Sequence, residues 1–184
     1  LPWEVLLKMA DEKAKRRVVA TGTGVVTPIG LDVPSMWASM KAGTCGVSRI
    51  ENFDLADLYI HIAGEIKGFK PEVHVKSRKI QYGERYSWFA GRAADEAWTQ
   101  AGLPVPYNDP YRSTCIIGSG AGGYSTVENA YRDLFIHNKK ATNPLTLLRI
   151  IGSSASAHVG IEYGVKGPTF ATCSACSTAT HAIG

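Results

Sequence analysis

The chain has 184 residues, 45% of them hydrophobic and 20% charged, and its 20 Lys and Arg against 16 Asp and Glu give a formal charge of +4. That length suits about one domain, and the balance excludes a disordered, collagen-like or coiled-coil chain. The charge is too small to argue for nucleic acid, and no apolar run approaches the roughly 18 residues of a membrane span.

At the N-terminus only Val5 to Leu7 precede Lys8, and a charged stretch, Asp11 to Arg17, follows. Without an apolar core or a small-residue cleavage site this is not a secretory signal, so a cytoplasmic protein with reduced thiols is expected. Residues 1–15 read as an N-terminal extension, and residues 16–184 as the folded part. Arg17 to Thr21 predicts a buried strand around Val18, Val19 and Ala20, and Gly22, Gly24, Pro28 and Gly30 then punctuate a loop. Pro34 and Ser35 introduce a helix through Met36, Trp37 and Met40 that Gly43 ends. A longer helix is predicted from about Tyr82 to Ala101, with Phe89, Ala93, Ala97 and Trp98 on one stripe and Gly102 as its stop. Its alanines predict a close neighbour. Ser113 to Ile117 predicts a second buried strand, which runs into Gly118-Ser119-Gly120-Ala121-Gly122-Gly123. A polar helix follows from about Thr126 to His137, small-residue helical material fills Pro144 to Gly164, and Thr169 to Thr172 is a third apolar run. Strands alternating with helices predict an α/β fold with a mixed, mostly parallel sheet flanked by helices.

The segment from Gly167 to Gly184 is the densest chemical signal. A short strand turns through small residues into a helix start, with Cys176 at the turn. The N–H groups and dipole of a helix N-terminus stabilise a thiolate, so a cysteine there can serve as a nucleophile. Free cysteines are also among the most buried residues, so the residues alone leave open whether Cys176 reacts or packs.

This stretch resembles the active-site segment of the β-ketoacyl synthases, the condensing enzymes of fatty-acid and polyketide synthesis, whose cysteine sits between alanine and Ser/Thr with glycine-proline upstream. Arg16 to Gly30 is similar to the family's opening strand and loop, Gly118 to Gly123 to its glycine turn, and Tyr163 to Pro168 to its lead into the nucleophile. The resemblance implies the first half of a thiolase-like fold, continuing no further than the nucleophile turn, and a homodimer to which Leu145 to Ile151 contribute. It implies that Cys176 takes an acyl group from a carrier-protein thioester and passes it to a carbanion formed when a malonyl thioester loses carbon dioxide. No metal or organic cofactor is implied.

The family's decarboxylation uses two histidines and a lysine from segments beyond position 184, so an incomplete, inactive half is expected. His61, His74, His137, His158 and His181 are read as structural or surface residues. Ala121 stands where some relatives carry a bulky gate to the acyl pocket, and Leu145 is placed beside that pocket. The basic pairs Arg78, Lys79 and Lys139, Lys140 are assigned to carrier-protein docking by charge. Thr172 replaces a usually apolar residue, which predicts a looser strand beneath the nucleophile.

Three other readings are weighed. Gly118 to Gly123 has the spacing of a dinucleotide-binding turn, but the acidic residue such a turn needs about 20 positions on is missing. Cys173 and Cys176 have thiol-redox spacing, but Cys173 is read as a buried structural thiol within the strand. A non-catalytic scaffold is the third, and it predicts exposed apolar surface.

Overall fold

In the computed structural model, residues 17–75 and 81–184 are described here. The expected extension 1–15, and Arg78 and Lys79, lie outside them.

The strand predicted for Arg17 to Thr21 is not formed. Val18 is 89% and Val19 65% exposed, because no strand among the described residues runs beside them to complete a ladder. The following loop is held by side chains instead. The Thr23 N–H donates to Gln100 Oε1 at 2.6 Å, and the Val25 and Val33 N–H groups donate to the two oxygens of the Glu96 carboxylate at 3.1 and 2.8 Å. Thr27 and Gly30 exchange backbone hydrogen bonds across the predicted turn.

Helix α1 (Val33–Lys41) starts where the Asp32 carboxylate accepts the Ser35 N–H at 2.8 Å, and Gly43 at φ +69° turns the chain away beyond it. Strands β1 (Ser48–Arg49) and β2 (Ile62–Ala63) pair antiparallel, and the short helix α2 (Pro71–His74) follows. Helix α3 (Arg85–Gln100) begins three residues later than the sequence predicts, where the Glu84 N–H donates to Ser87 Oγ at 2.9 Å. Its alanine stripe has the expected neighbour. A Cβ on Gly24 would fall 1.9 Å from the Ala93 carbonyl oxygen, so the loop lies directly on the α3 backbone.

Strand β3 (Cys115–Ile116) leads into the glycine turn. Helix α4 (Tyr124–Tyr131) continues as a wider π-helical turn, Arg132–Ile136. The small-residue segment forms two helices, α5 (Thr146–Ile150) and α6 (Ser154–Tyr163), the second closed by Gly164 in the left-handed conformation. Strand β4 (Thr169–Phe170) pairs parallel with β3, Cys115 opposite Thr169 and Ile116 opposite Phe170. The chain ends in a 3-10 turn, Ala175–Ser177, and helix α7 (Thr178–Ile183).

The core sits where α3, α6 and β3 meet. Cys115, Val159 and Tyr163 are buried there against Ala94, Trp98, Ile117 and Val165, with the Trp98 and Tyr163 rings stacked 4.2 Å apart. The small residues of α6 allow this approach: Ala155 and Ser156 are fully buried, and Gly160 passes β4 with only enough room for a methyl group beside Thr169. Among the described residues no helix is long and apolar enough to cross a membrane.

Candidate active site

The parallel pairing of β3 and β4 brings the glycine turn and the cysteine turn to the same end of the sheet. The ladder continues past the strands, the Ile117 N–H reaching Phe170 O at 3.4 Å and the Ser119 N–H reaching Thr172 O at 3.1 Å. Both chains then leave the sheet together. Gly118 lies against α7 so closely that a Cβ there would fall 2.1 Å from Thr178 Cγ2. Gly122 adopts φ +69° and, with Gly123, meets the backbone carbonyls of Ile150 and Arg149. These glycines are filled in by protein rather than held open for a phosphate, as a tight-packing role requires.

Cys176 is exposed in the 3-10 turn ahead of α7. The residue before it, Ala175, has φ +49°, a left-handed conformation that a side chain makes costly and that persists only where neighbours impose it. Those neighbours surround Ser174. Its N–H donates to Thr178 Oγ1 at 2.8 Å, its carbonyl accepts the Ser177 N–H at 3.1 Å, and its hydroxyl shares a 2.6 Å hydrogen bond with His181 Nδ1. Thr178 is 6% exposed, and its carbonyl accepts the Thr172 hydroxyl at 3.1 Å.

One expectation is corrected by this geometry. Cys173 is neither buried nor in the strand: β4 stops at Phe170, and the Cys173 thiol is exposed, 3.8 Å from Gly120 O. Thr172, two residues past β4, donates its hydroxyl to the carbonyl of Thr178, the first residue of α7. His181 lies on the surface as expected, but its bond to Ser174 was missed. No spacing rule pointed to it, because the left-handed Ala175 and the 3-10 turn break any helical register between Ser174 and His181.

The remaining histidines are placed away from Cys176. His61 Nε2 meets Leu58 O, His74 stacks on Phe69, His137 pairs with Asp133 at 3.2 Å, and His158 lines a cavity of about 530 Å³ between α2, α3 and α6. That cavity includes none of Cys176, Ala121 and Leu145. Ala121 is exposed at the tip of the glycine turn and Leu145 half-buried at the start of α5, against whose last residues that turn packs. Lys139 is paired with Asp133 at 2.8 Å, and its hydrogen bond is the main reason the Asp133 carboxyl lies below its usual range; Lys140 is exposed. Among the described residues no group of three or more His, Cys, Asp and Glu side chains is placed to hold a metal ion.

A family model described as the N-terminal domain of β-ketoacyl synthase matches residues 15–184. A 3-oxoacyl-[acyl-carrier-protein] synthase 2 of Staphylococcus aureus is 36% identical over 169 residues, 92% of this chain and 41% of that protein. A β-ketoacyl synthase from Burkholderia phymatum superposes with a TM-score of 0.77 at 25% identity, over 92% of this chain and 42% of that one. A type II polyketide ketosynthase solved with its acyl-carrier protein shares the fold, with a TM-score of 0.73 at 20% identity over 92% of this chain and 46% of that one. The chain therefore spans about two fifths of the curated relatives it matches, and its α/β fold is the thiolase-like fold of ketosynthases.

Proposed function

The chain belongs to the β-ketoacyl synthase family, matching its N-terminal domain, and on that premise we propose that Cys176 is the acyl acceptor of a 3-oxoacyl carrier-protein synthase. The Cys176 sulfur attacks the carbonyl of an acyl thioester and expels the carrier thiol. The carbanion left when a malonyl thioester releases carbon dioxide then attacks the acyl-cysteine, forming a carbon–carbon bond and returning the sulfur to Cys176. Splitting the condensation this way replaces one hard step by two easier ones.

The observation that carries this reading is the presentation of Cys176: exposed, preceded by a left-handed alanine, on a turn braced against the Gly118–Gly123 loop. The amide of Cys176 belongs to the first turn of a helix, where N–H groups lack intrahelical acceptors, and is assigned to the oxyanion. The decarboxylating groups are assigned to segments outside residues 1–184.

Ala121 and Leu145 are assigned to the wall of the acyl pocket, and Arg78, Lys79, Lys139 and Lys140 to docking of an acidic carrier protein. Lys140 is the freer of the second pair, since Lys139 is engaged with Asp133. A homodimer is supported by the exposed apolar side chains of Leu147, Leu148 and Ile151, and a cytoplasmic location by the chemistry of soluble thioester substrates.

The test is to incubate the complete enzyme that carries this segment with octanoyl carrier protein and map the adduct by mass spectrometry. Acyl label on Cys176, lost in Cys176→Ala, is expected; label that persists in that variant removes Cys176 from the mechanism. Lys140→Glu should slow acylation from carrier protein more than from a small octanoyl thioester, and equal slowing of both would argue against docking there.

A further inference from the structure

We infer that His181 is a positioning residue for Cys176, acting through Ser174. This deepens the reading of Cys176 as acyl acceptor and rests on it. His181 makes no hydrogen bond to the thiol; its 2.6 Å bond is to the Ser174 hydroxyl, on the far side of the left-handed residue that sets the direction of Cys176. A residue with a Cβ leaves the left-handed region unless it is held there. Ala175 is itself exposed, and the hydrogen bonds that brace the turn around it are made by Ser174. The restraint therefore comes from its predecessor.

Two side chains of α7 supply that restraint. Thr178 and His181 stand three residues apart and so share one face of the helix. The first accepts the Ser174 N–H and the second bonds the Ser174 hydroxyl, so residue 174 is gripped at its backbone and at its side chain. Thr178 is anchored in turn by its methyl group, which fills the space that Gly118 leaves, and by Thr172. His181 has no such support and is exposed, which makes its single bond the replaceable part of the clasp. Loss of that bond lets Ser174 rotate, Ala175 relax to a negative φ, and the thiol turn from the surface.

The test reads thiol presentation without requiring any acyl chemistry. The full chain is treated with iodoacetamide, and labelling rates at each cysteine are obtained by peptide mapping. Exposed Cys45 serves as the internal reference and buried Cys115 reports general loosening. His181→Ala and Ser174→Ala should each lower the Cys176 to Cys45 ratio about fivefold, the lower end of what confining an alanine to the left-handed region costs. The double substitution should lower it no further, since both remove one bond. His181→Asn, whose amide reaches the position of Nδ1, should keep the ratio near that of the parent. In an Ala175→Gly background, where positive φ needs no restraint, His181→Ala should change the ratio less than twofold. An unchanged ratio in His181→Ala, additive losses in the double substitution, or a matching rise at Cys115 would each overturn the inference. Failure of the acylation test with these ratios intact would instead count against the acyl-acceptor reading alone.

Discussion

Gly118→Ala places a methyl group where the glycine turn crosses α7, and its consequence can be worked from the contacts. The new Cβ would lie 2.1 Å from Thr178 Cγ2, 2.8 Å from Thr172 Oγ1 and 3.1 Å from Thr178 O. The first is an impossible approach to a buried side chain, so α7 must move or the turn must open. Overpacking of this kind costs about 2 kcal/mol, which for a chain of this length lowers Tm by roughly 4–8 °C. Because Thr178 also holds the Ser174 N–H, the displacement passes directly to the cysteine turn, and Cys176 acylation should fall with stability. Thr178→Ser removes the offending methyl while keeping the hydroxyl, at a cost near 1 kcal/mol for the lost burial. Combining the two should recover about 1 kcal/mol relative to the sum of the single losses, short of full rescue because the backbone oxygen of residue 178 stays close. Urea denaturation of the parent, both single variants and the double variant measures this. Additive or worse losses would refute the claim that the glycine is there to admit Thr178.

Further expectations follow from the same kind of reading. Gly24→Ala drives a Cβ to 1.9 Å from the Ala93 carbonyl and should destabilise by at least about 2 kcal/mol, whereas Gly91→Ala, with nothing within 4 Å inside α3, should stabilise by about 0.5–1 kcal/mol; chemical denaturation of the pair checks both signs. The Tyr163 phenol is raised above its ordinary range, first by burial and then by the Asp95 charge. Its stabilising contribution is therefore full below the unfolded value near 10 and is lost as pH rises toward the folded one, so Tyr163→Phe should flatten the alkaline fall in stability relative to the parent in melts taken from pH 8 to 11. Ala121→Ile, at the assigned pocket wall, should narrow the acyl-chain preference of the complete enzyme in a competition among carrier-protein thioesters of different length, and an unaltered product profile would remove Ala121 from that wall.

The helices were legible because their signals are local. Pro34 and Ser35 at the start, Gly43 and Gly102 after the last turns, and the stripe through Ala93 and Ala97 each act within one or two turns of chain, and the structure uses them as read, adding the Asp32 cap. The meeting of the two glycine- and cysteine-bearing turns was legible only through resemblance, since it depends on β3 and β4 pairing across more than fifty residues. The clasp was not legible at all from composition. Thr172 read as a defect because a hydroxyl beneath a nucleophile has no partner in the sequence. Its partner is a carbonyl that α7 brings within 3.1 Å.

The strand that failed marks a different limit. Val18 and Val19 read as core because they are apolar and β-branched, yet burial belongs to what lies alongside a segment, and nothing among the described residues does. Phe170 in β4, 46% exposed although paired with β3, and Ile183, 90% exposed, also present apolar side chains outward. The effect is not confined to these positions: Tyr59, Ile60, Phe135 and Ile136 are among the other large apolar side chains left exposed. Two of the exposed side chains adjoin the cysteine turn: Phe170 leads into it and Ile183 closes the helix behind it.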